Sequence, residues 1–494
     1  MRMLVRQSVA SLLCELLILL PAMADANARR QQAPPRSAQT LSLREYLQKP
    51  YLELFELAPK LEFSASEIEA QREAFKKGED TCVSRFKDHS KQYDKQIQAA
   101  QSDLKKKTAT LTDEQRAQMH CNIQNLDLVK SEADVLASLA IPTAYDNLSA
   151  KLDLIDQWPA QYKQIQQDLA SGAYVTRRWG DVKDIGFRVI EPKQQDDIKS
   201  GAQAAEEMKR LGLLPPDVED KAIQEYVRSV GERVAKSSDL KVPLHISVLQ
   251  SREINAFALP GGYLFVERGL LEAADDESEL AGVIAHEIAH DTARHSNKLM
   301  KRATIASLLY QAAQIGAMIL TGGAASIAMS YILQYGFYGL GLVIDLKLLG
   351  VSRDYELEAD QLGTQYAWNA GYDPKGFIRF FDKMATKQGY VNGVSWFRTH
   401  PPFFQRMVQT EREIMFLQQK PNATTQTAAF EQMKKELAPI AAKAEKEEVG
   451  KPSLLITKEE GCAPPKKLEY KPGQPVEELC TAPAQTVTDL DPKK

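Results

Sequence analysis

Two histidines, His286 and His290, stand four residues apart within residues 283–290. Residues four apart share one face of a helix, so both imidazoles can reach a single metal ion. Glu287 follows the first histidine and is placed to hold a metal-bound water and to accept its proton. The ligand types favour zinc, and we predict one Zn²⁺ per chain at this place.

The third ligand of such a site has two possible sources, because a catalytic zinc takes three protein ligands and leaves a fourth position open. One source is a histidine six residues after the second one, with a glycine before it, but these positions hold Ser296 and Ala293. His295 lies about 140° round the helix from His290. We interpret His295 as a packing histidine or as one that supports a ligand from outside.

The other source is a carboxylate from a later helix, within residues 355–360. Glu356 and Asp360 are four apart and therefore face the same way. We predict that Glu356 ligates the zinc, and that Asp360 hydrogen-bonds a ligand histidine and fixes its tautomer. Glu358 points about 200° away from Glu356 and is the weaker candidate.

Four motifs occur in a fixed order across roughly residues 195–415. They are NAFALPGG at 255–262, HEIAH at 286–290 with RH at 294–295, SR at 352–353 with ELEAD at 356–360, and THPP at 399–402. Together they resemble the HtpX and CAAX-prenyl-protease family of gluzincin zinc metallopeptidases. The resemblance implies His286, His290 and Glu356 as zinc ligands, Glu287 as the base and Asp360 as the carboxylate behind a ligand.

The resemblance also points to His400 and Arg406 near the open position of the metal. His400 stands beside two prolines in a loop that we expect to be rigid. An imidazole there either donates to the developing oxyanion or occupies the free position of a resting site. The alternative is a surface-loop histidine with no part in the chemistry.

Residues 256–266 predict two short strands around a double-glycine turn. The family resemblance suggests that Ala256, Phe257 and Ala258 pair with an extended peptide through main-chain hydrogen bonds. Such binding implies endoproteolysis with little sequence selectivity. By composition alone the segment is an apolar hairpin.

A chain of 494 residues predicts two or three folding units. We predict an α+β fold that is mainly α, in which a helical domain precedes a gluzincin-like zinc metalloprotease domain with a small sheet. Patterns typical of capping boxes at residues 64–67 and 112–115 favour helices in the first part. The predicted order is a signal peptide at 1–26, a helical accessory domain at 41–172, a zinc metallopeptidase domain at 195–418, and a C-terminal helix with a disulfide-stapled tail at 419–494.

Residues 303–344 contain no charged side chain. Because the ligands before and after this insert must meet at one ion, the insert crosses a membrane twice or not at all. We favour a helical hairpin that covers the active site or rests on a membrane surface. True insertion is the alternative, since the length is just enough for two spans of about 20 residues.

The N-terminus predicts export, because arginines precede an apolar stretch that ends in small residues. Cleavage there would remove Cys14 and leave four cysteines for an oxidising compartment. The pairings Cys82–Cys121 and Cys462–Cys480 are the most local of the three possible connectivities. We therefore expect a periplasmic or other extracytoplasmic protein, either free in that compartment or associated with a membrane.

A formal net charge of −4 and the lack of a basic cluster give no reason to expect nucleic acid. We expect a zinc metalloendopeptidase that acts on unfolded or misassembled polypeptides, and the resemblance suggests envelope proteins as substrates. Two alternatives stay open: an envelope chaperone or scaffold with a largely latent protease site, and an integral membrane protease.

Overall fold

The computed structural model describes eight stretches of the chain: residues 41–107, 109–172, 194–210, 214–296, 353–387, 404–417, 419–450 and 475–481. These stretches are mainly helical and contain one three-stranded sheet, which confirms the predicted fold class. The predicted signal peptide, the uncharged insert at 303–344 and His400 lie outside the described residues.

The N-terminal part of the described chain is entirely helical. Its α-helices are Leu43–Leu47 (α1), Tyr51–Leu57 (α2), Ala65–Lys107 (α3), Asp113–Val135 (α4) and Ile141–Ser171 (α5), with a 3-10 turn at Ala58–Lys60 and a π-helical turn at Leu136–Ala140. Both predicted capping boxes form: Ser64 and Glu67 bond reciprocally before α3, and Thr112 and Gln115 do so before α4. The long helices α3 and α4 pack side by side.

The second part holds the sheet and the helices around it. Its elements are Gln194–Arg210 (α6), Lys221–Lys236 (α7), His245–Leu249 (β1), Ala256–Leu259 (β2), Tyr263–Glu267 (β3), Arg268–Ala273 (α8), Glu277–Thr292 (α9), Arg353–Asn369 (α10), Lys375–Lys387 (α11), Phe404–Phe416 (α12), Ala428–Gly450 (α13) and Val476–Leu479 (α14). Among the described residues, no helix combines the length and the apolar run that a membrane crossing needs.

The strand order in the sheet is β1-β3-β2, with β1 parallel and β2 antiparallel to β3. β2 and β3 form the predicted hairpin, and within the described part of the chain β2 is an edge strand. Gly261 and Gly262 make its turn with φ of 81° and 87°, a left-handed backbone that glycine adopts without strain. The Gly261 amide donates to the Asp291 carboxylate near the end of α9 at 3.1 Å, so the turn is tied to that helix.

Helices cover both faces of the sheet. One face packs against α7 and α9 and belongs to the large core of the molecule. The other face packs against α6 in a separate apolar cluster, formed by Ala204, Ala205, Met208, Leu214, Leu249, Phe257, Leu259 and Phe265. Among the described strands, β2 forms the margin of the sheet next to α9.

The helical part packs directly on the second part through one continuous core. Helix α5 contacts α12, and α2 contacts α11. The buried Asp382 of α11 accepts hydrogen bonds from the backbone amides of Tyr51 at 2.7 Å and Leu52 at 3.2 Å. It thereby satisfies free amides in the first turn of α2, as a side-chain cap from another element would.

The disulfide of the described chain corrects the predicted pairing. Cys82 of α3 bonds to Cys480, which follows α14, so neither local pairing forms. The short helix α14 packs against the helical part with Val476 and Leu479 buried, and Arg85 donates to the Thr481 carbonyl at 3.1 Å. The prediction of local pairings was wrong because it used separation along the sequence, whereas the packing of α14 determines which cysteines lie close together.

We expect the double substitution of Cys82 and Cys480 by alanine to lower the free energy of unfolding by about 2–5 kcal/mol, because the unfolded chain loses a cross-link. Thermal unfolding checks this, with the exposed neighbour Thr81→Ala as the control. Peptide mapping without reduction should join the segments around Cys82 and Cys480. A cross-link between Cys82 and Cys121 would contradict the structure.

Candidate metal centre

Helix α9 carries both histidines and lies inside the protein. Asp276 caps it and accepts from the Glu279 amide at 3.0 Å. Nearly every residue of the helix is buried, and His286 is fully so. At Gly282 the helix touches α11, since a Cβ there would lie 2.6 Å from the Phe377 amide nitrogen.

Helix α10 brings the carboxylates across the histidines. Glu356, Asp360 and Gly363 follow at spacings of four and three, so they share one face of α10. At Gly363 a Cβ would lie 2.8 Å from the backbone of His286, so the two helices cross with no side chain between them. This close crossing places the Glu356 carboxylate opposite both imidazoles.

Three potential ligand residues form a small triangle. The Nε2 atoms of His286 and His290 are 3.0 Å apart, Glu356 Oε2 lies 3.6 Å from the first, and Glu356 Oε1 lies 3.5 Å from the second. Tetrahedral zinc with bonds of about 2.0–2.2 Å separates its ligand atoms by about 3.3–3.6 Å. The described residues therefore fit a zinc ion in both donor type and spacing.

The back of His286 is held by a carboxylate and a guanidinium. His286 Nδ1 lies 2.9 Å from Asp360 Oδ1. Arg406 of α12 binds Asp360 with two donors, Nε at 2.6 Å and Nη2 at 2.7 Å, and its Nη1 lies 3.1 Å from Glu356. All these side chains are buried, so the pairs are shielded from water. Arg406 thus supports one ligand directly and another through Asp360.

These contacts set the charge states of the centre. Burial alone would raise the pKa of Asp360, but Arg406 and His286 lower it, so this carboxylate is ionised. Burial alone would lower the pKa of Arg406, but Asp360, Glu356 and Glu287 raise it. For His286, burial again lowers the pKa, while Asp360 and Glu356 raise it to about 9. Phe377 stacks on the His286 ring at 5.0 Å and closes its other side.

The remaining predicted site residues lie as follows. Glu287 is buried, at 2 % exposure, one residue beyond His286 on α9. His295 is buried behind His290, with 3.0 Å between their Nδ1 atoms. Its Nε2 lies 3.1 Å from Glu358. Glu358 points away from Glu356 on α10, and it is linked to His290 only through His295.

The predicted substrate strand lies at the free margin of the sheet. The Glu267 amide bonds to the Asn255 carbonyl at 2.9 Å, and bonded pairs alternate along an antiparallel ladder. The backbone groups of Ala256 and Ala258 consequently point away from β3. Phe257 has its ring buried against Phe265 under α6, with ring centroids 5.0 Å apart.

Sequence reasoning missed three contributors: Gly363, Phe377 and Arg406's contact with Asp360. Gly363 could have been found from the sequence, since it lies three residues after Asp360 and so shares the helix face of Glu356 and Asp360. Phe377 could not, because an aromatic residue in an amphipathic helix such as α11 is ordinarily core.

Comparison with known proteins agrees with this geometry. Residues 221–414 match the model of peptidase family M48. The chain is 28% identical over 229 residues to the beta-barrel assembly-enhancing protease of Yersinia pestis, covering 46% of each chain. It is 33% identical over 189 residues to the putative beta-barrel assembly-enhancing protease of Vibrio cholerae, covering 37% of each.

A mitochondrial relative is also similar. The match to the mitochondrial metalloendopeptidase OMA1 of Schizosaccharomyces pombe is 34% identical over 191 residues, which covers 38% of this chain and 51% of the relative. The chain thus spans about half or less of the length of the curated relatives it matches.

We expect Gly363→Ala to weaken metal binding and to cost about 1–3 kcal/mol of stability, because the new Cβ pushes α10 away from the His286 backbone. Zinc affinity by chelator competition and thermal unfolding measure the two effects. The matched control is Gly231→Ala in α7, where the nearest atoms are side-chain ends of Leu244 and Ile246. Wild-type affinity and stability in Gly363→Ala would refute this role of the crossing.

Proposed function

We propose that this chain, whose residues 221–414 match the model of peptidase family M48, is a zinc-dependent endopeptidase with Glu287 as its catalytic base. The single observation that carries the proposal is the buried triangle of His286, His290 and Glu356, with Glu287 on the same helix turn. Its spacing suits one zinc ion. Its burial suits a site in which charge is stabilised with little competition from solvent.

The residues have distinct tasks in the proposed reaction. A zinc ion held by the three ligands would supply Lewis acidity and lower the pKa of water, which makes the nucleophile available near neutral pH. Glu287 accepts the proton of the attacking water and returns it to the amide nitrogen that leaves. Asp360 and Arg406 keep His286 in one orientation, and Phe377 blocks rotation of its ring.

The substrate would bind as an added strand on β2. Backbone groups of Ala256 and Ala258 point to the free edge, so an extended peptide can pair with them regardless of its side chains. The Ser296 hydroxyl donates to the Ala258 carbonyl at 3.3 Å and would give way to a substrate amide. We assign His400 the stabilisation of the developing oxyanion.

The substrate class and location extend the proposal. Two of the relatives are named for enhancing β-barrel assembly, and the N-terminal sequence favours export. We therefore propose unfolded or misassembled envelope proteins as substrates, in the periplasm or a comparable compartment. Residues 41–172 would serve as a helical accessory domain of the peptidase unit at 195–418, and the insert at 303–344 would contact the membrane surface.

We expect the purified mature chain to cleave an unfolded casein, and Glu287→Gln to slow this cleavage about 10²–10⁴-fold because the proton acceptor is lost. Zinc content of the variant should stay at the wild-type level, since Glu287 is not one of the three ligands. The matched control is Glu225→Gln, an exposed carboxylate on α7. A chelated sample gives the baseline.

Cleavage by Glu287→Gln at the wild-type rate would refute the role of this residue. A wild-type chain that binds zinc yet leaves casein intact would instead favour the chaperone or scaffold reading, with a latent site.

A further inference from the structure

The two ring nitrogens of His290 face different partners. Nε2 points into the triangle, 3.0 Å from His286 Nε2 and 3.5 Å from Glu356. Nδ1 points the other way and lies 3.0 Å from Nδ1 of His295. Two imidazole nitrogens at this distance share one proton, so one of them donates and the other accepts.

The direction of this hydrogen bond follows from the metal site. A histidine that offers Nε2 to a metal must keep a lone pair there, so its proton stays on Nδ1. His290 therefore donates and His295 accepts at Nδ1. A neutral His295 then carries its proton on Nε2, and that atom lies 3.1 Å from Glu358 Oε2. In this series of hydrogen bonds, from His290 to His295 to Glu358, each ring nitrogen therefore has the partner that its tautomer requires.

His295 is held in this orientation by its surroundings. Its side chain is 1% exposed and stacks on the ring of Tyr355 with centroids 4.4 Å apart. Glu358 is 28% exposed at the margin of the site. Helix α10 thus supplies one ligand, Glu356, and also the carboxylate that reaches the opposite ligand through an intervening imidazole.

We propose that His295 and Glu358 are positioning residues of the metal centre, which fix the tautomer and ring orientation of His290. This inference rests on the proposed zinc site. The two ligand histidines would then be supported differently: His286 by direct contact with Asp360, and His290 by a carboxylate one imidazole away. The His290 side chain is 12% exposed, against 1% for His286. Surrounding atoms therefore restrain the His290 ring less, and a hydrogen bond to His295 contributes more to its orientation.

Zinc affinity of the full mature chain, measured by competition with a chromophoric chelator, tests the inference independently of proteolysis. We expect His295→Phe to weaken zinc binding about 10–100-fold, the usual effect of removing a partner behind a metal ligand. His295→Asn should recover part of the loss, because its amide oxygen can accept from His290. Glu358→Leu should weaken binding less than His295→Phe does, and Glu358→Gln should remain close to wild type because its oxygen still accepts.

A control and a spectroscopic measurement separate positioning from packing. Asp354→Asn removes an exposed carboxylate from the first turn of α10 and should leave the affinity unchanged. In the cobalt-substituted protein, His295→Phe should change the visible absorption bands of the metal, whereas Asp354→Asn should not. In the zinc-loaded protein, nitrogen-15 spectra should show the His290 proton on Nδ1 and the His295 proton on Nε2.

Wild-type affinity and an unchanged cobalt spectrum in His295→Phe would overturn the inference and leave His295 as a packing residue. The opposite tautomer of His295 would overturn it as well. If His295→Phe fails to fold, the partly exposed Glu358 decides the matter, since wild-type affinity in Glu358→Leu contradicts the proposal. A wild-type chain that binds no zinc would refute the proposed function itself, which is a different outcome.

Discussion

Three carboxylates, those of Glu287, Glu356 and Asp360, are buried close together at 1–2% exposure, and the rest of the site depends on neutralising them. Buried ions are strongly unfavourable unless charge and hydrogen bonds compensate. Arg406 supplies one positive charge through its contacts with Asp360 and Glu356. In the proposed zinc site, a divalent ion between the three ligands would supply the other two. The pKa of His286 is raised to about 9 for the same reason, because the Asp360 and Glu356 carboxylates favour a positive charge on that ring.

The architecture places this charge arrangement where helices from distant parts of the chain meet. Helix α9 contributes the imidazoles, α10 the carboxylates and α12 the guanidinium. Glycine at the crossing of α9 and α10 lets the ligand atoms approach. The N-terminal helices support the helices that carry the site. Helix α5 packs on α12, and Asp382 of α11 accepts a hydrogen bond from the first turn of α2. Helix α11 also carries Phe377, which stacks on His286. The N-terminal helices and the candidate metal centre therefore belong to one packed framework.

Features that depend on helical phase or local capping could be predicted from the sequence. The shared face of His286 and His290, the choice of Glu356 and Asp360 over Glu358 as inward residues, and the cap at Asp276 all follow from spacing along one element. The β2–β3 hairpin follows from its double glycine in the same way.

Features that depend on which elements meet could not be predicted. Cys82 pairs with Cys480 because α14 docks on the N-terminal helices, which are far away along the chain. Glu358 contacts His295 because His295 lies beside α10. The angular position of Glu358 on its own helix does not reveal which residues of other elements lie next to it. Arg406 contacts Asp360 and Glu356 for the same reason, since α12 reaches them only in the folded core.

Anomalous diffraction from crystals of the zinc-loaded protein, recorded on both sides of the zinc absorption edge, shows directly where the metal binds. We predict one anomalous peak per chain in the triangle of His286, His290 and Glu356. It should lie about 2.0–2.2 Å from Nε2 of His286, from Nε2 of His290 and from a carboxylate oxygen of Glu356. A zinc peak held by other residues, or an empty triangle in crystals that contain stoichiometric zinc, would contradict it.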